Sequence, residues 1–170
     1  MSSHLPKAPI GGPLYIRPID IDDTEYIVCW RNNPRVRERF LYREVFTPEG
    51  HIQWMNTKVA SGEVEQFMVF EGERPIGSVY FRDIDKIAGT AEYGVFIGED
   101  DACGHGYGNI IASWAVKYAK ENMGLSSIIL RVLSGNTAAI RSYQNAGYKE
   151  YEVQKDYLDG QDLIFMKQEL

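Results

Sequence analysis

The residues with the clearest capacity for chemistry are Gly104-His105-Gly106-Tyr107-Gly108. They stand between a strand-like run, Thr90–Ile97, and a helix-like run beginning near Asn109. Glycine at alternate positions lets several backbone N–H groups turn toward one point with no Cβ in the way. The N-terminus of the following helix adds unpaired N–H groups and a partial positive charge. The combination predicts an anion site suited to phosphate or pyrophosphate. The plainer reading is a turn whose glycines only help the helix pack on a sheet. The run is not a P-loop, because no Gly-Lys-Ser/Thr follows it. Nor is it a good dinucleotide fingerprint. It follows an antiparallel meander, and the next strand ends Leu130-Arg131-Val132-Leu133-Ser134, with no carboxylate for a ribose.

Those residues need elements to hold them. Leu14-Tyr15-Ile16-Arg17 predicts a short strand stopped by Pro18. Asp22, with Glu25 three residues on, predicts an Asp-type capping box. The helix it opens turns Ile27 and Trp30 inward and ends before Pro34. Thr47-Pro48 supplies an N-cap with Pro at the first position, and Ile52, Met55 and Val59 give the next helix an apolar stripe. Gly50 in its first turn works against it. Residues 66–71, 76–84 and Thr90–Ile97 predict a three-strand antiparallel meander. Past the glycines the period changes. Ile110, Ile111, Trp114, Ala115 and Tyr118 share one helical face, and Gly124 ends that helix. Ser127–Leu133 is nearly all apolar, broken by Arg131, as expected for a strand buried on both faces. A helix over 137–146 stops at Gly147, and strands over 148–155 and 162–169 flank a turn at Asp159-Gly160. This order predicts a mixed α/β, or α+β, class.

Composition narrows the possible partners. The chain has 170 residues, the length of one domain. Residues 1–13 are polar or rich in Pro and Gly and are expected as a flexible tail, with residues 14–170 as a single domain. Eighteen basic and 24 acidic residues give a net charge of −6, a poor prior for nucleic acid or an anionic membrane. No apolar run approaches the roughly 18 residues of a membrane span, and residues 1–13 lack the charged and apolar regions expected of a signal peptide. Cys29 and Cys103 cannot make a disulfide framework. These features predict a cytoplasmic protein, a monomer or homodimer, with no nucleic-acid or membrane partner and no metal. An anion site built from backbone dipoles is compatible with a charge of −6.

A second motif lies downstream: Asn136, Ala139, Tyr143 and Gly147-Tyr148. With Cys103 to Gly108 it resembles the GNAT acetyltransferase superfamily. That pattern is Gln/Arg-x-x-Gly-x-Gly/Ala on a strand–loop–helix, then Asn…Tyr…Gly-Phe/Tyr on the next helix. Trp30-Arg31-Asn32, Phe46 before Thr47-Pro48-Glu49, and Pro75-Ile76-Gly77 are similar to the ribosomal-protein N-terminal acetyltransferase subgroup. The resemblance runs from about Leu14 to Glu169. One position departs from the pattern: Cys103 replaces the usual Gln or Arg. It admits two readings, a reactive thiol or a small tolerated side chain.

The resemblance implies a mixed, mostly antiparallel sheet of about seven strands, splayed between the fourth and fifth, with about four flanking helices. It implies acetyl-CoA as cofactor and CoA as product. Pantetheine would run along Phe96 and Ile97. The pyrophosphate would lie on Cys103, Gly104, His105, Gly106, Tyr107 and Gly108, with Asn109 opening the helix. Asn136 would hydrogen-bond the cofactor. The implied reaction is direct attack by a primary amine in a ternary complex. Glu92 is the first candidate to take the amine's proton, and His51 a weaker one. A backbone N–H would hold the thioester oxygen. Tyr143 matches the position that protonates the CoA thiolate. The structural alternatives are a salt-bridged Glu92, a solvated or capping His51, a packed Tyr143 and a capping Asn136. Acceptors of such enzymes include protein N-termini, polyamines and nucleotide-linked amino sugars. Arg35, Arg37, Arg39 and Arg43 would lie on the acceptor side, or form a solvated face balanced by Glu38 and Glu44. Two rival classes are a non-catalytic CoA-binding module and a nucleotide-binding protein using the glycine loop.

Overall fold

The structure, a computed structural model, describes residues 4–170. The strands are β1 (Ala8–Gly11), β2 (Leu14–Pro18), β3 (Glu65–Glu71), β4 (Arg74–Asp85), β5 (Thr90–Ile97), β6 (Ser127–Leu133), β7 (Lys149–Leu158) and β8 (Gln161–Glu169). The helices are α1 (Thr24–Asn32), α2 (Pro34–Arg37), α3 (Pro48–Trp54), α4 (Tyr107–Glu121) and α5 (Thr137–Asn145). The strands form one mixed sheet in the order β1-β2-β3-β4-β5-β6-β8-β7. β5 and β6 pair in parallel, whereas β1–β2, β2–β3, β3–β4, β6–β8 and β7–β8 are antiparallel. The class is the expected one, with eight strands instead of about seven and five helices instead of about four.

The added strand is β1, inside the segment expected to be a tail. Pro9 lies opposite Tyr15 on the outermost strand, where a missing N–H is tolerated. Lys7, just before β1, sits 4.9 Å from the Phe70 ring centroid and donates to the Gly72 carbonyl at 3.1 Å. The added helix is α2, a short turn capped by Asn33, whose side chain accepts from the Arg35 N–H.

The chain forms two compact units. One is drawn from the chain up to Arg82 and from Gly94–Tyr107, the other from Asp83–Tyr93 and Gly108–Leu170. In the first, β2 to β4 bury Leu14, Met68, Val69, Ile76 and Phe81. A second cluster joins Ile27, Trp30, Val36, Met55 and Phe96. Trp30 lies flat on Gly98, where a Cβ would fall 2.0 Å from the indole, so that position requires glycine. In the second unit, α4 buries Ile111, Ala112, Ala115 and Ala119. Ile110, Trp114 and Tyr118, expected on the buried face, are only half-buried at its margin.

Two local expectations change. The cap ahead of α1 is Asp20, not Asp22. Asp20 accepts from the Asp22 N–H at 2.8 Å, and Asp23 accepts from the Asp20 N–H at 2.9 Å. Asp23 is fixed there because it also receives both terminal nitrogens of buried Arg17, at 2.7 and 2.8 Å. A single π-helical turn, Met55–Val59, follows α3. Its extra residue per turn rotates the helix face. The apolar stripe holds at Met55, which is buried, and at Val59, which packs on the core, but not at Ile52, which is 37% exposed; His51, whose structural alternative was a solvated or capping residue, is buried.

His51 Nδ1 lies 2.9 Å from the Thr24 hydroxyl oxygen, and that hydroxyl donates onward to the Ile21 carbonyl at 2.7 Å. Nδ1 is therefore the protonated nitrogen, and Nε2 is a buried acceptor with no partner among the described residues. Burial lowers the His51 pKa from 6.5, with Arg31 opposing protonation further and Asp23 favouring it. The unfolded chain thus takes up the proton first. His51 contributes stability above the unfolded pKa, and that contribution is lost as pH falls below about 6.5 and through the folded pKa. Denaturant titrations from pH 7.5 to 5 will show wild-type stability falling by at most about 1.4 kcal/mol per pH unit from this proton. His51→Asn will flatten that limb. An identical pH slope in the variant would remove His51 from the acid response.

Candidate active site

The loop is shaped as the glycine spacing predicts. Gly104 and Gly106 adopt φ of +79° and +77°. A Cβ at either would meet nothing within 4 Å, so these glycines serve backbone direction and not close packing. No described residue accepts from the N–H groups of Gly104 to Gly108, and α4 begins at Tyr107 with its first-turn donors free. Unpaired N–H groups beside open space fit a pyrophosphate.

The loop's side chains turn to the protein's own groups. The Tyr107 hydroxyl donates to Glu71, which raises its pKa above 10. His105 Nε2 lies 2.9 Å from the Asp101 carbonyl. The exposed Cys103 thiol points at the Glu99 carbonyl, 3.8 Å away. His105 is thus held by a carbonyl and does not form a thiol–base pair with Cys103.

Upstream, the parallel ladder holds only three pairs, Thr90↔Ser127, Ala91↔Ile128 and Glu92↔Ile129. β5 runs on to Ile97 and β6 to Leu133. Phe96 buries its ring edge-on against Trp30 and Phe40. The Ile97 carbonyl accepts from Arg35 at 2.8 Å. A pantetheine contact at Ile97, as expected from the sequence, would use its remaining backbone capacity.

The second unit gathers another group. A Cβ at Gly108 would fall 3.1 Å from the Ser142 hydroxyl, so the first turn of α4 sits closely on α5. The Asn109 side chain accepts from the Asn145 side chain at 3.0 Å. These two contacts fix α5, and with it Tyr143. The Tyr143 ring is buried, edge-on to Tyr93 and Tyr148 with centroids 6.0 and 5.9 Å away. Burial pushes the Tyr148 phenol well above its ordinary pKa of 10 and keeps it neutral. Asn136 stands at the N-cap position of α5, as its structural alternative had it, but its side chain makes no capping bond to the helix.

Glu92 is ion-paired. Arg131 donates to both its oxygens, at 2.6 and 3.1 Å. The pair raises the Arg131 pKa. The sequence reading missed Arg131 as a partner. A lone Arg in an apolar strand, two residues beyond the ladder partner of Glu92, was the available signal, because side chains two apart share a face.

Three of the four acceptor-side arginines are occupied locally. Arg35 pairs with Asp100 at 2.5 Å. Arg37 donates to the Arg43 carbonyl at 2.6 Å, and Arg43 to the carbonyls of Phe40 and Glu38. They hold residues 33–46 in shape and do not form a solvated helix face.

Comparison with known proteins agrees with this geometry. The acetyltransferase (GNAT) domain family matches residues 13–149. The chain is 25% identical over 139 residues to acetyltransferase PseH of Campylobacter jejuni, covering 82% of this chain and 85% of that protein. Its fold superposes on spermidine N-acetyltransferase of Vibrio cholerae, solved with CoA and spermine, with a TM-score of 0.86 at 20% identity, covering 92% and 95% of the two chains. It also superposes on RimL, a ribosomal L7/L12 alpha-N-protein acetyltransferase in complex with CoA, with a TM-score of 0.84 at 15% identity, covering 97% and 98%. The non-catalytic and nucleotide-binding alternatives are not favoured. The cradle, the Asn136–Tyr143 helix and the matched family lead to one assignment: the chain belongs to the GNAT acetyltransferases, acyltransferases that use acetyl-CoA.

Proposed function

We propose that the protein acetylates a primary amine on a small molecule or peptide, with Glu92 and Tyr143 moving the protons. The open cradle of Gly104 and Gly106 at the start of α4 carries the reading. Its N–H groups would hold the pyrophosphate, and Asn136 and the end of β5 the pantetheine arm. Acetyl-CoA, when bound, supplies the acetyl thioester and a thiolate leaving group.

A free alkylamine is mostly protonated at neutral pH and must lose a proton before it attacks. A carboxylate offers about four lone-pair sites, and the Arg131 fork uses two. Arg131 fixes the orientation of Glu92, whose carboxylate would take the proton from the amine directly or through an intervening water. Tyr143, locked between two rings, would deliver its hydroxyl proton to the departing sulfur. A cytoplasmic setting fits the two unpaired cysteines, and among the described residues no helix is long and apolar enough to cross a membrane.

The deciding measurement is thiol release from acetyl-CoA across a panel of amines. Acceptor-dependent release supports the reading, and tight CoA binding without it refutes it. Tyr143→Phe will lower kcat by about 100-fold while CoA affinity changes by less than about threefold. Equal turnover would remove Tyr143 from the chemistry. Glu92→Gln will lower the rate most at low pH, where the free amine is scarcest, and an unchanged pH–rate profile would point to another base. Gly106→Ala forces a Cβ onto a left-handed backbone without a clash. It will destabilise the fold by about 1 kcal/mol and raise the KM for acetyl-CoA by about tenfold. An unchanged KM would place the pyrophosphate elsewhere.

A further inference from the structure

In the triplet Trp30-Arg31-Asn32, the outer two residues have internal tasks. Trp30 packs on Gly98 and donates its indole N–H to Glu99 at 3.1 Å. Asn32 clamps Phe46 from both sides, accepting from its N–H at 2.7 Å and donating to its carbonyl at 2.9 Å. Arg31 has no such task. Its guanidinium carbon lies 3.5 Å from the Phe40 ring centroid, 4.2 Å from that of Phe46 and 5.8 Å from that of Phe96. No carboxylate or carbonyl among the described residues accepts from it, and its Nε is buried without a partner. The residue as a whole is only half-buried, so its outer nitrogens remain reachable.

A guanidinium taken out of water without a counter-ion is costly. Here burial, with the neighbouring Arg82 charge adding to it, lowers the Arg31 pKa to about 10, against the opposing pull of Tyr80 and Tyr42. The group still carries its charge at neutral pH. His51, also coupled to it, has its protonation disfavoured and supplies no anion. The aromatic stack supports the flat faces and leaves the donor edge unused. A planar donor fork with its faces covered is suited to a bidentate oxyanion. The fork also lies against Phe96, its guanidinium carbon 5.8 Å from that ring centroid, on the part of β5 beyond the three-pair ladder, where the pantetheine arm is proposed.

We propose that Arg31 is an acceptor-recognition residue that binds an oxyanion, phosphate or carboxylate, carried by the amine substrate. This rests on the acetyltransferase reading above and specifies its substrate class: an amine bearing an anionic group, in preference to a purely cationic polyamine.

Matched acceptors test this. Glucosamine against glucosamine 6-phosphate gives a phosphate arm, cadaverine against lysine a carboxylate arm, and spermidine the cationic control. In wild type, kcat/KM will favour the anionic member of at least one pair and exceed that for spermidine. Arg31→Met keeps the stem and the stacking surface, and it will reduce that preference by about 100-fold. Arg31→Lys keeps the charge but loses the fork, and will restore only part of it. Circular dichroism and Tm establish that each variant is folded. No wild-type preference in either arm, or equal losses for both members of a pair in Arg31→Met, overturns the proposal. A second readout is independent of turnover. With CoA saturating the glycine cradle, the preferred anionic amine will raise the Tm of wild type and not of Arg31→Met. If that shift appears but no amine releases thiol, the acetyltransferase reading fails and the anion site stands. If neither anionic amine shifts wild type, the anion site fails.

Discussion

A strand that leaves its neighbour must find other partners for its backbone, and that constraint shapes the site. β5 gives up its parallel ladder with β6 after Glu92, five residues before its own end. The chain immediately beyond is answered from within. Arg35 donates to the Ile97 carbonyl, and the Gly98 and Glu99 N–H groups donate to the Ile76 carbonyl at 2.7 and 3.3 Å. Further on, the loop from Gly104 to Gly108 has no such internal answer. A ligand with amides at one end and a pyrophosphate at the other suits a fold that leaves backbone groups open in this way.

Electrostatics follow the same division. A chain of net charge −6 can hold an anion with main-chain dipoles, which carry no net charge and impose no Lys-rich surface. Side-chain charge is used sparingly and each case is built around. Arg17 is met by Asp23 with two hydrogen bonds, and Arg131 by Glu92. Arg31 is met by aromatic faces alone. The three cases form a series from full ionic compensation to polarisable support, and the last is the one open to a substrate.

Much of this was legible in the sequence where the physics is local. The meander and the Ser127–Leu133 strand follow from alternation and apolar runs, and the positions of Gly104 and Gly106 from their spacing. Errors arose where a distant group decided a local choice. Asp20 and Asp22 are both plausible caps, and the choice fell to Asp20 because Asp23, its reciprocal partner, is pinned by Arg17. A π-helical turn after Trp54 broke the helical period, so the stripe was assigned to Ile52 while His51 went inside. Arg37 and Arg43 were read as acceptor-side groups or a solvated face because a sequence does not show that carbonyls of their own loop accept from them. The bond from Asn145 to Asn109 was not legible because the two lie on different helices.

The division of the chain has a consequence for how the protein can be altered. The boundary between the compact units is crossed at Arg82–Asp83, at Tyr93–Gly94 and at Tyr107–Gly108. Two of those crossings lie inside single strands, β4 and β5, and the third lies at the first peptide of α4. Neither unit is a continuous stretch of chain, so no single cut releases one intact. Cassette exchange with a relative cannot respect the boundary either, because any contiguous graft carries pieces of both. Acceptor range would then change by substitution within residues 31–46, and not by shuffling of parts.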